Sequence, residues 1–168
     1  MTAHRQIINN VATAIADAEA IRDFCISHFG KGLAVHVGAY AACVPGERDA
    51  PFCWLAAEEA ENEATKEDDL FSVRLVVGGL VKGEGGEKVI NNVVRERTAT
   101  ANGLTLNGGN AIVEELRDKI LRIIRNANAG AIVNRIRREE NDISHFPLEW
   151  ATAVIEYLEP DSLADYIN

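Results

Sequence analysis

Two long apolar stripes at helical spacing constrain this chain most. Across residues 4–28, Ile7, Val11, Ile15, Ala18, Ile21 and Cys25 recur every three or four positions. Across residues 110–129 the same spacing runs through Ile112, Leu116, Ile120, Ile123, Ile124 and Ala127. Each stripe predicts a helix that must bury one face. Thr2 is placed to cap the first, and Gly30 and Gly130 stand where the two helices should end in a left-handed residue. In the second helix, Glu115–Lys119 and Asp118–Arg122 have the spacing of favourable ion pairs.

The surface that receives these stripes has to come from the segments with two-residue alternation. Leu33–Val37 is a short strand with Leu33, Val35 and Val37 on one face. Pro45-Gly46 marks a turn, and Pro51 opens a strand over 51–57. Leu70–Val77 alternates most clearly, and Gly78-Gly79 after it predicts a bulge or bend. Ala131–Arg138 is a strand with Val133, Arg135 and Arg137 on one face and Ile132, Asn134 and Ile136 on the other. Leu148–Leu158 is apolar on both faces, which predicts a central strand covered on both sides. The glycine-punctuated segment 83–109 has no clear periodicity, and its middle, Val89–Thr100, fits either a strand or a short helix.

The economical arrangement is an α+β fold: a mixed, mainly antiparallel sheet of four to five strands with two long helices packed on one face. A length of 168 residues fits one domain with a full core. No apolar run spans a bilayer, and the first residues lead into an amphipathic pattern and not into a secretory signal. Cys25, Cys43 and Cys53 are odd in number and lack a C-x-x-C pair, which points to free thiols in a reducing compartment.

Residue types that carry chemistry do not form a recognised set. Cys53 alternates with Phe52 and Trp54 in a strand, as a packing residue does, and no serine sits in a G-x-S-x-G elbow. His4, His28, His36 and His145 show no zinc spacing, although His28 and His36 flank one helix–strand turn. The Gly83–Lys88 and Gly103–Gly109 segments do not match a phosphate-binding loop. The acidic stretch lacks the order of a calcium loop. The expectation is a chain without catalysis, metal or cofactor, whose work is binding or assembly.

Charge is where the sequence is most uneven. The net charge is −9, unfavourable for sequence-specific nucleic-acid binding. Residues 58–69 hold seven acids and one lysine, whereas residues 117–138 hold seven basic residues and one acid. Such a split suits electrostatic pairing between copies. The candidate interface or lumen residues are Glu58, Glu59, Glu61, Glu63, Asp68, Asp69, Arg135, Arg137 and Arg138.

The order of these features resembles the tail-terminator, or minor tail protein U-like, family of tailed phages. The resemblance rests on the helix Ile7–Ile26, the strand Pro51-Phe52-Cys53-Trp54-Leu55 leading into the acidic stretch, and the strand Leu70–Val81. It continues through the helix Ala111–Ala129, then Ile132–Ile136, then Phe146-Pro147-Leu148-Glu149-Trp150 and the strand Ala151–Leu158. Segment 83–109 is longer than that pattern requires. The resemblance implies a hexameric ring that caps the tail tube and meets the tube and the head–tail connector proteins. It would be found in the cytoplasm of a bacterial host during assembly and then in the virion. The alternative is a small oligomeric ligand-binding or regulatory module without catalysis.

Overall fold

The computed structural model describes residues 3–38, 44–58, 70–80, 85–89, 95–101, 104–107, 111–139 and 148–158. Thr2, Cys43 and His145 lie outside them, as do Glu59, Glu61, Glu63, Asp68 and Asp69.

The first apolar stripe folds as two helices, α1 (Ala3–Asp17) and α2 (Glu19–Phe29), where one was expected. Ala18 takes an extended backbone between them (ψ 104°), and its N–H closes a tight turn onto the Ile15 carbonyl at 3.2 Å. The break redirects α2 while Ile15 and Ile21, on either side of it, both remain in the core. Gly30 ends α2 at φ 77°, its N–H donating to the Ile26 carbonyl. Helix α3 (Ala111–Asn126) follows the second stripe. It stops earlier than expected, and Ala127–Ala129 form a turn before Gly130 at φ 85°.

Five strands make the main sheet: β1 (Ala34–Val37), β2 (Phe52–Glu58), β3 (Leu70–Leu80), β7 (Ile132–Glu139) and β8 (Leu148–Leu158), ordered β1-β2-β3-β8-β7. Among the described strands of this sheet, only the β1–β2 pair is parallel. Segment 83–109 supplies β4 (Gly85–Val89), β5 (Arg95–Ala101) and β6 (Leu104–Asn107), a separate three-stranded antiparallel sheet. The fold is α+β with a mixed, mostly antiparallel sheet, as the alternation predicted.

The register assigns the two faces. Cys53, Leu55, Val73, Leu75, Val77, Ala151, Ala153, Ile155 and Tyr157 share the helix side and form one core with Ile7, Val11, Ile15, Ile21, Leu116, Ile120 and Ile124. Each fully buried Leu or Ile here contributes about 1.5–3 kcal/mol through lost apolar surface. Asn10 adds a polar tie, its side-chain amide donating to the Ala129 carbonyl at 3.2 Å. The opposite face carries a smaller buried cluster of Ala50, Phe52, Trp54, Ala56, Val76 and Leu148. Strand β8 lies inside the sheet and is buried on both faces, as its sequence suggested.

The expected bulge at Gly78-Gly79 does not occur. Both glycines stay in the straight β3–β8 ladder, opposite Trp150 and Glu149. A Cβ on Gly78 would stand 2.3 Å from the Phe52 ring, and one on Gly79 would stand 2.7 Å from the Phe29 ring. The missing side chains seat an aromatic ring on each face of the strand.

Gly78→Ala should therefore lower stability by about 1–3 kcal/mol, because Phe52 is enclosed and cannot swing clear. Gly32→Ala meets nothing within 4 Å and should leave stability unchanged or raise it by about 0.4–1 kcal/mol. Urea-unfolding midpoints of the two variants check the contrast.

Candidate interaction surface

Strand β7 borders the sheet, with no neighbour on its outer side among the described residues. Its β-branched residues Ile132, Val133 and Ile136 favour an extended chain. The pairing is interrupted once, between Val133 and Arg135, where Asn134 has no partner on β8. This bulge reverses the predicted faces beyond it. Val133 and Ile136 both pack toward the helix-side core, opposite Tyr157 and Ile155. Arg135 and Arg137 instead point to the opposite face, across from Glu156 and Val154, and Arg138 points to the helix side, across from Ala153.

The three arginines are held differently. Arg138 Nε donates to Asp118 Oδ1 of α3 at 2.9 Å. Arg117 Nε donates to the same oxygen at 3.1 Å, and its Nη1 reaches the Thr152 carbonyl at 3.4 Å. Asp118 is thus committed to Arg117 and Arg138 and not to Arg122 as expected, whereas Glu115–Lys119 does form, at 3.7 Å. Burial alone would raise the Asp118 carboxyl, but the hydrogen bonds and charges of Arg138 and Arg117 outweigh it and hold the group below its ordinary value. On the other face, Arg74 Nη1 donates to Glu139 Oε2 at 3.1 Å, while Arg137 lies 3.9 Å from the other Glu139 oxygen. Arg135 makes no ion pair with the described residues.

A surface groove of about 540 Å³ runs beside the start of β7, between Arg125 and Ala127 of the α3 end and Ile132, Val133, Arg135 and Ile136. Ile132 is half exposed at its mouth. A second groove, about 330 Å³, follows the charged face of α3 past Glu114, Asp118 and Arg122.

Among the sequence candidates, Arg135, Arg137 and Arg138 come together on β7. Glu58 ends β2 on the same cross-sheet row as Arg135, through Ser72 and Glu156, three strands away. Asp118, Arg117, Arg74 and Glu139, which fix the arginines, were missed. Arg117 left one signal: it sits four residues from Val113 and three from Ile120, within the buried arc of α3.

Other chemistry-bearing residues are placed as follows. Cys25 and Cys53 are free and fully enclosed, and burial pushes both thiols up to about 12. His28 packs on Phe24 within the helix layer, whereas His36 faces the other side of the sheet with its ring edge-on to Phe52, so the two do not meet. His4 stacks on Phe71 at 4.1 Å. Among the described residues no cluster of His, Cys, Asp and Glu has the arrangement to hold a metal ion, and no helix is long and apolar enough to cross a membrane. No protein-family model matches the chain, and no curated protein is significantly similar to it.

Asp118→Asn should destabilise the protein at neutral pH by about 1 kcal/mol, a figure discounted for the partial exposure of the carboxylate. Because the folded-state value is depressed, this contribution is full well above 3.8 and is lost as pH falls below it. Urea titrations of both proteins should show a gap at neutral pH that closes in acid.

Proposed function

We propose that this chain is a structural assembly protein of a phage or prophage tail, a tail-terminator-like subunit that forms a ring on the tail tube. The observation that carries the reading is the basic edge strand. The five-stranded sheet has two open edges among its described strands, and one of them presents Arg135, Arg137 and Arg138. An edge of this kind, on a chain that also carries seven acids in residues 58–69, favours head-to-tail contacts between copies. Such contacts generate a ring when the rotation closes. The α+β arrangement with helices on one face agrees with what the family resemblance implies. Work of this kind occurs in the host cytoplasm and then in the virion, and it calls for no cofactor. Its partners are other copies, the tail tube and the head–tail connector.

The groove along α3 is lined mainly by charged side chains, whereas the one beside β7 sets Arg125 and Arg135 among Ala127, Ala131, Ile132, Val133 and Ile136. The charged α3 groove supports a protein-facing role over the alternative of a small-ligand module, whose site would be concave and mostly apolar.

Light scattering across protein concentration should find a species near six times the 18.3 kDa chain mass, weakened by salt. Electron microscopy should show rings at the ends of purified tail tubes. A chain that stays monomeric in solution and leaves tube ends bare contradicts the reading.

A further inference from the structure

We draw no further inference here: the strongest candidate, the groove of about 540 Å³ between the end of α3 and the start of β7, where Arg125 and Arg135 stand among Ile132, Val133 and Ile136, carries nothing because nothing in the structure shows what covers it.

Discussion

The ladder between β3 and β8 pairs Leu70–Leu80 with Leu148–Leu158 without a shift. It sets Val73, Leu75 and Val77 beside Ile155, Ala153 and Ala151; α3 packs across these two strands, and α1 lies over β1 and β2 within the same core. Backbone pairing over this length fixes register strongly, because a one-residue slip would move every core side chain to the opposite face. The same ladder explains Gly78 and Gly79. They are the places where Phe52 and Phe29 press onto the strand from its two sides.

With the helices on one face, β1 and β7 form the margins of the sheet among the described strands. An open edge strand invites indiscriminate pairing, and proteins limit this with charge and with bulges. Strand β7 has both: the bulge at Asn134 and three arginines. The bulge lets Val133 and Ile136 both reach the core while turning Arg135 and Arg137 to the other face. Asp118 and Arg117 link α3 to Arg138, so the helix layer steadies the edge.

The apolar periodicities made the helix layer, the central strands and the α+β class legible, since burial of one face writes itself into spacing. What escaped the sequence depends on contacts between distant residues. Nothing at Ala18 announces a break, because neither proline nor glycine is there and the stripe continues across it. Asn134 gives no local sign of a bulge, so the faces of Arg135 and Arg137 were misassigned after it. Gly78-Gly79 looked like a bend because the rings that need the space come from residues 29 and 52. Asp118 was assigned to Arg122 on its own helix, although its stronger partner lies twenty residues away on β7. Strands β4, β5 and β6 form a sheet of their own, for which the glycines of 83–109 gave boundaries but no period. The basic half of the candidate surface was readable as a charge run, whereas its division between held and available arginines was not.

Hydrogen exchange read by mass spectrometry across a dilution series tests the central claim most directly. The account predicts that amides of residues 132–139 gain protection as concentration rises, while β1 at residues 34–37 is unchanged. Protection that appears elsewhere, with β7 exchanging equally at all concentrations, would contradict it.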